Sequence, residues 1–163
     1  MRVLAFLLIS IICFTSCKSS KASVKNNKVA TFKNTPSKAD KIIATAQSYQ
    51  GTKYKYGGTT IKGMDCSGLI YVAFKNGDIA LPRVSRDMAN QGTSINLKDV
   101  QKGDLLFFKT KAKGGKINHV GLVVNTSKND IEFIHATTSK GVMTSLLSEP
   151  YWKRAFRKAQ RIL

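Results

Sequence analysis

The stretch Asp65-Cys66-Ser67-Gly68-Leu69 decides how this chain builds its chemistry, because a cysteine stands where an apolar helical pattern begins. The residues that follow repeat at helical spacing, so we predict a helix over residues 66–75 that ends at Asn76-Gly77. Unpaired backbone N–H groups and the helix dipole favour a thiolate at such an amino end, and the thiolate is the nucleophilic form of cysteine. A free cysteine taken alone is more often a small buried core residue. The residues around Cys66 favour a nucleophile instead.

The other two cysteines, Cys13 and Cys17, lie in a segment of different character. Met1-Arg2 and the apolar run over residues 3–14 resemble a secretion signal, because the run is shorter than the about 20 residues that a membrane-spanning helix needs. The run ends in Thr15-Ser16-Cys17, which resembles a bacterial lipobox. We therefore predict a lipoprotein signal peptide over residues 1–16 and a lipid on Cys17, with Cys13 as the alternative site. Cys66 is then the free thiol of the mature chain, and no internal disulfide can form.

Composition divides the remainder into a tether and one domain. Residues 17–37 are rich in Lys, Asn and Ser, carry few apolar side chains and include Pro36 near their end, so we expect a lipidated, flexible, basic tether. Residues 38–163 have the length and apolar content of one globular domain. We expect this domain to carry the chemistry.

The charge balance favours anionic partners. The formal net charge is +18, from 27 basic and 9 acidic residues. An exported, lipid-anchored chain would rarely meet nucleic acid, so we expect anionic envelope polymers or lipid headgroups, or a solvated basic surface without a specific partner. The Cys and His residues show no metal-type spacing, and we expect no cofactor.

The order of the predicted elements indicates an α+β domain, with amino-terminal helices packed on an antiparallel β-sheet. A first helix over residues 37–50 has a capping serine and a glycine stop, and residues 54–63 form a glycine-bearing loop. Further helical segments are predicted at 85–91 and 151–153, and strands at 104–109, 119–124, 131–136 and 156–163.

The two histidines of the chain, His119 and His135, fall on neighbouring predicted strands. Residues 125–130 form a polar turn, and a turn centred near Ser127 places the two histidines directly opposite each other. Their Cβ atoms would be roughly 4.5 to 5.5 Å apart on one side of the sheet. A nucleophile on a helix, a base on a strand and an orienting group on the next strand form a generalised catalytic triad. Either histidine alone is more often structural.

The ordered motifs of this chain resemble the NlpC/P60 family of cysteine peptidases, in particular the small lipoprotein murein endopeptidases. The resemblance implies a papain-like fold and hydrolysis of amide bonds in the stem or cross-linking peptides of bacterial peptidoglycan. It begins near Ala39 and runs to the carboxyl end. The matching motifs are residues 51–58, Gly63-Met64-Asp65-Cys66-Ser67-Gly68-Leu69, Leu81-Pro82-Arg83, Gly103-Asp104-Leu105, Asn118-His119-Val120-Gly121, Phe133-Ile134-His135-Ala136 and Glu149-Pro150-Tyr151-Trp152-Lys153.

The resemblance also implies roles for individual residues. Cys66 matches the nucleophile, His119 the general base and His135 the third, polar member of the triad. Tyr54 matches a tyrosine that helps to line the oxyanion site, although a packing aromatic in a glycine loop is the alternative. Asp65 and Ser67 match positions that shape the substrate cleft.

Three functions stay open at this point. The first is a lipid-anchored peptidoglycan endopeptidase, a monomer in the bacterial cell envelope, held at the outer membrane and facing the periplasm. The second is a catalytically silent envelope lipoprotein that binds murein or an assembly partner. The third is a thiol amidase or acyltransferase on the same scaffold. The resemblance leaves two scissile bonds open: D-glutamate to a diamino acid, or D-alanine to a diamino acid across a cross-link.

Overall fold

The first helix begins where the sequence offers a cap. In the computed structural model, which describes residues 35–111, 115–126 and 130–163, helix α1 spans Lys38–Gln47. Ser37 and Asp40 cap each other reciprocally, as the predicted capping serine requires. The helix ends three residues earlier than predicted, because the N–H groups of Tyr49 and Gln50 bond to carbonyls only three residues back, and Gly51 donates its N–H to the Val142 carbonyl at 2.9 Å. The predicted signal peptide with Cys13, the predicted lipidation site Cys17 and most of the predicted tether lie outside the described residues.

Three further helices and eight strands complete the described part of the chain. The helices are α2 (Cys66–Asn76), α3 (Ser85–Met88) and α4 (Pro150–Ala155), with a 3-10 turn at Leu97–Asp99. The strands are β1 (Thr59–Thr60), β2 (Gly63–Met64), β3 (Thr93–Ile95), β4 (Leu105–Phe108), β5 (His119–Asn125), β6 (Glu132–Thr137), β7 (Gly141–Leu146) and β8 (Phe156–Arg161). None of the described helices is long and apolar enough to cross a membrane.

Six of the strands form one antiparallel sheet in the order β3-β8-β4-β5-β6-β7, with a different core on each face. Helices α1 and α2 pack on one face, and α4 packs on the other. Successive residues of a strand point to opposite faces, so Val120 and Leu122 of β5 contact the α1/α2 core whereas Val123 joins the α4 core. The α+β prediction is confirmed.

The sequence pattern missed the short or irregular strands. β3 has three residues and β7 does not alternate between buried and exposed positions, so neither shows the period of two that predicts a strand. The predicted loop over residues 54–63 contains β1 and runs into β2, which pair as a two-stranded hairpin. β8, the last strand, inserts between β3 and β4, a non-local pairing that local periodicity does not report.

The predicted pairing of the histidine strands was wrong by two residues. Leu122 faces Ile134 and Val123 faces Phe133, a register that would place His119 opposite Thr137 rather than opposite His135. The register shifts between Val123 and Asn125, so the hairpin is not symmetric about Ser127 as assumed. A slip of two keeps every side chain on its own face. The two histidines are therefore diagonal neighbours on the same face of the sheet.

Candidate active site

A cleft of about 1010 Å³ opens where the amino end of α2 meets the start of β5. Cys66 and His119 line it, together with Tyr54, Asp65 and Ser67. His135 does not line the cleft, since it is fully buried behind His119. The structure thus brings the predicted site residues into one place, with His135 behind them.

The amino end of α2 aims several donors at the nucleophile. The Asp65 side chain caps the helix by accepting the Gly68 N–H at 2.6 Å. The backbone N–H groups of Val120 in β5, of Ser67 and of Cys66 itself act to lower the pKa of the Cys66 thiol. The thiol therefore lies at a junction between the helix start and the strand that carries His119.

An arginine holds this junction together. Arg83 forms a two-point ion pair with Asp65, with both N···O distances at 3.0 Å, and donates to the Ser67 hydroxyl at 2.9 Å. Asp65 also accepts the Gly57 N–H at 2.7 Å. The polar atoms of Asp65 and Ser67, predicted to shape the cleft for substrate, thus bond within the protein.

Gly68 is required where this network meets α2. A Cβ at this position would collide with the Gly58 carbonyl oxygen and come within 3.0 Å of both Arg83 and Asp65. A larger residue would therefore push the Gly57-Gly58 loop away from the helix start. We attribute the glycine after Cys66-Ser67 to this close packing.

Burial decides the protonation of the nucleophile. Only 9% of Cys66 is exposed. Burial raises the pKa of the Cys66 thiol, and the N–H groups of Val120 and Ser67 offset this only in part. The helix-terminus argument had predicted the opposite direction, because sequence does not show that the helix begins inside the protein. Burial in this structure therefore favours the neutral thiol, and a thiol mechanism would need a base to remove its proton.

The histidine pair offers a candidate for that base. His119 Nε2 and His135 Nδ1 lie 3.0 Å apart within the protein interior. A base that leaves its other nitrogen, Nδ1, free to accept the Cys66 proton must carry hydrogen on Nε2 and donate it to His135. Neutral His135 then carries its own hydrogen on Nε2, an atom with no partner among the described residues.

Burial keeps both histidines neutral. It lowers the pKa of His119 to about 4, and burial together with the neighbouring His119 lowers that of His135 to about 3. The resting site is a neutral thiol beside a neutral imidazole, a base that remains available in mildly acidic solution.

These pKa values predict a loss of stability in mild acid. Between pH 7 and pH 5 the unfolded chain, with histidine pKa values near 6.5, takes up protons that the folded chain does not. The free energy of unfolding should therefore fall as the pH falls, by about 2 kcal/mol for each histidine. Urea denaturation at several pH values measures this. The His135→Asn variant should show about half the decrease, whereas an unchanged stability of the parent protein between pH 7 and pH 5 would contradict the burial of the pair.

Tyr54 lies on the cleft wall beside the nucleophile. A parallel bridge to Met64 places it next to β2, immediately before α2. Burial raises the pKa of Tyr54, and negative charge on Cys66 or Asp65 raises it further. The hydroxyl therefore keeps its proton and is a donor, as an oxyanion site requires.

Sequence reasoning missed two residues of this region. Arg83 was quoted within a motif without a role, since it lies 18 residues from Asp65 and only the fold pairs them. Trp152 stacks on His119, with ring centroids 5.2 Å apart and an angle of 20° between the planes. It is the single tryptophan of the chain, a signal that could have directed attention to it. The described residues contain no group of three or more His, Cys, Asp or Glu that could hold a metal ion.

Comparison with known proteins places this geometry in a family. The model of the NlpC/P60 family matches residues 51–161. The "Probable endopeptidase NlpC" of Escherichia coli K12 is 37% identical over 96% of this chain and 97% of its own length. The "Murein DD-endopeptidase MepS/Murein LD-carboxypeptidase" of the same strain is 34% identical over 76% of this chain and 62% of its own length. The crystal structure of an NlpC/P60 family protein from Bacillus cereus superposes with a TM-score of 0.69 at 29% identity, over 77% of this chain and 40% of that one. The chain belongs to the NlpC/P60 family.

Proposed function

We propose that this protein is a peptidoglycan endopeptidase that hydrolyses amide bonds of the stem or cross-linking peptides through Cys66, His119 and His135. The observation that carries the proposal is an open cleft lined by both Cys66 and His119, in which His119 Nε2 lies 3.0 Å from Nδ1 of the buried His135. The names of its relatives, a probable endopeptidase and a murein DD-endopeptidase, supply the reaction and the polymer.

The first step forms the acyl-enzyme. His119 Nδ1 takes the Cys66 proton as the sulfur attacks the scissile carbonyl carbon, and the carbonyl oxygen becomes an oxyanion. We assign the Cys66 N–H and the Tyr54 hydroxyl, both of residues that line the cleft, as the donors to that oxygen. The tetrahedral intermediate collapses, the C–N bond breaks, and His119 returns its proton to the leaving amine.

The second step releases the acyl group. Water, deprotonated by His119, attacks the thioester carbonyl; the C–S bond then breaks, and the proton returns to the Cys66 sulfur. During both steps the His119 imidazolium donates from Nε2 to His135 Nδ1, which fixes the tautomer and orientation of the base. His135 accepts this hydrogen bond and does not take the proton.

The charge of the cleft favours an anionic peptide. Four cationic side chains line it against the carboxylates of Asp65 and Glu149, and one of the four, Arg83, is paired with Asp65. Arg86 is paired with Asp87 at 3.3 Å, which leaves Lys111 and Lys140 as the other cations of the cleft. Stem peptides of peptidoglycan carry free carboxylates, so the cleft and the proposed substrate have complementary charge.

Digestion of purified sacculi followed by mass analysis of the soluble fragments tests this function. An endopeptidase releases fragments cut within the stem or the cross-link, and their masses identify the bond. A thiol amidase would instead separate whole stem peptides from the glycan. Binding to sacculi without any soluble fragment would overturn the proposal in favour of a silent murein-binding lipoprotein.

We also propose that the mature chain is anchored by lipid on Cys17, most simply at the outer membrane facing the periplasm. The support is the sequence of residues 1–17, which lies outside the described residues. The proposed tether over residues 17–37, taken as a random coil, would span roughly 25 Å between the lipid and the domain.

Metabolic labelling with a palmitate analogue measures the anchor. The parent protein should take up label and fractionate with membranes, and Cys17→Ser should abolish both, because a chain without the lipid lacks its membrane affinity. Cys13→Ser is the matched control and should stay labelled. Label retained in Cys17→Ser and lost in Cys13→Ser would show that Cys13 is the lipidated residue. Absence of label in the parent protein would indicate a secreted enzyme.

A further inference from the structure

Trp152 of α4 contacts both histidines of the site. Its ring stacks on His119 at 5.2 Å and 20°, and meets His135 edge-on at 4.6 Å and 78°. Phe108 and Phe133 also touch Trp152, at 5.2 and 5.5 Å. Only 7% of Trp152 is exposed. The Trp152 side chain thus covers the histidine pair and joins it to the aromatic core on the face of the sheet that packs against α4.

The backbone fixes where this indole lies. Pro150 occupies the first turn of α4, where its missing N–H is not needed. The Glu149 carboxylate accepts the Leu146 N–H at 2.8 Å, and the Glu149 carbonyl accepts the Lys153 N–H at 2.9 Å. The start of α4 is therefore held to the end of β7, and Trp152 is carried on a short, anchored helix rather than on a loop.

We propose that Trp152 is a positioning residue: its indole holds the His119 imidazole against His135 and keeps water away from the hydrogen bond between them. The inference rests on the proposed function, since it assigns His119 the part of the base. Trp152 acts through His119 and takes no part in bond making itself.

The shielding of the histidine pair by the Trp152 indole has a chemical reason. The thiol of Cys66 is buried and neutral, so the base must be neutral and correctly oriented when substrate arrives. Water at the Nε2···Nδ1 contact would compete for that hydrogen bond and would ease protonation of the ring before the reaction begins. A rotation of the imidazole out of line would lengthen the proton transfer, and small displacements of this kind cost large factors in rate.

Other charged groups surround the histidine pair, but burial has the largest effect on the pKa values of both histidines. Burial is the cause of the lowered pKa of His119, and for His135 the charge of His119 comes second to burial. The titratable and charged groups that face the cleft from the neighbouring elements are Cys66, Asp65, Tyr54, Tyr56, Arg83, Arg86, Lys111, Lys140, Glu149 and Tyr151. Admission of water is therefore the change expected to move the titration of His119.

The experiment compares Trp152→Leu and Trp152→Phe with Phe156→Leu as the matched control. Phe156 belongs to the same aromatic group, 6.1 Å from Phe108, and does not line the cleft. Nuclear magnetic resonance of ¹⁵N-labelled histidine follows both imidazoles, and His135→Asn assigns them, since the chain has two histidines. This readout needs no substrate, so it reports on Trp152 even if sacculi are not digested.

In Trp152→Leu the pKa of His119 should rise from about 4 toward its ordinary value of 6.5, with a smaller rise in Trp152→Phe and none in Phe156→Leu. The kcat for sacculus digestion at neutral pH should fall about tenfold or more with KM little changed. The acid limb of the pH profile of kcat should move to higher pH together with the pKa of His119. If Trp152→Leu does not fold, the pKa of His119 in Trp152→Phe is compared with its value in Phe156→Leu, and this comparison tests the proposal. A pKa that stays near 4 in a folded variant, or a loss confined to KM, would overturn the proposal.

Discussion

Cys66→Ala should lower the rate of sacculus digestion by several orders of magnitude, roughly 10⁴-fold or more. Alanine has no nucleophilic atom, so the acyl-enzyme cannot form, and binding in the cleft cannot replace that step. Cys66→Ser should be nearly as inactive, because a hydroxyl beside the same imidazole is a poorer nucleophile than a thiol. Rates from the decrease in turbidity of sacculi, at matched protein concentrations, measure the effect.

The fold should survive both substitutions, which makes the result interpretable. Cys66 is small and lies at the helix start, where the cap is supplied by Asp65 rather than by the cysteine. The thermal midpoint of each variant should therefore stay within a few degrees of the parent value. Cleavage by a folded Cys66→Ala variant at more than a few per cent of the parent rate would exclude the thiol mechanism.

His119→Ala should be almost as damaging as loss of the thiol, whereas the outcome at His135 should depend on which atom accepts the hydrogen bond. His119 Nε2 contacts His135 Nδ1, and the Oδ1 of an asparagine stands at the same number of bonds from the backbone as Nδ1. His135→Asn should therefore keep a measurable rate, about one to two orders of magnitude below the parent. His135→Gln places its oxygen at the position of Nε2 and should be slower.

The order of these three variants is the test. Initial rates with one sacculus preparation, corrected for the fraction of folded protein, should fall from His135→Asn to His135→Gln to His119→Ala. An inactive His135→Asn beside an active His119→Gln would exchange the two roles. Equal rates in His135→Asn and His135→Gln would mean that His135 acts by filling space rather than by accepting a hydrogen bond.

Local patterns were enough to predict the elements that carry the chemistry. The helix at Cys66, its end at Gly77 and the cap at Ser37 follow from apolar spacing and capping residues, which act over a few positions of the chain. The strands of His119 and His135 were found in the same way, and the shared face survived the wrong register because side chains alternate with a period of two.

The sequence by itself determined which groups are available: one interior thiol, two histidines on adjacent strands and a helix that starts at the thiol. The tertiary structure decided how they behave. Arg83 reaches Asp65 across 18 residues, and Trp152 reaches His119 from the far end of the chain, because side-chain contacts between distant segments leave no local pattern. The direction in which the Cys66 pKa shifts was decided in the same way. Burial depends on everything packed around the thiol, and it raises the pKa more than the N–H groups at the helix start lower it.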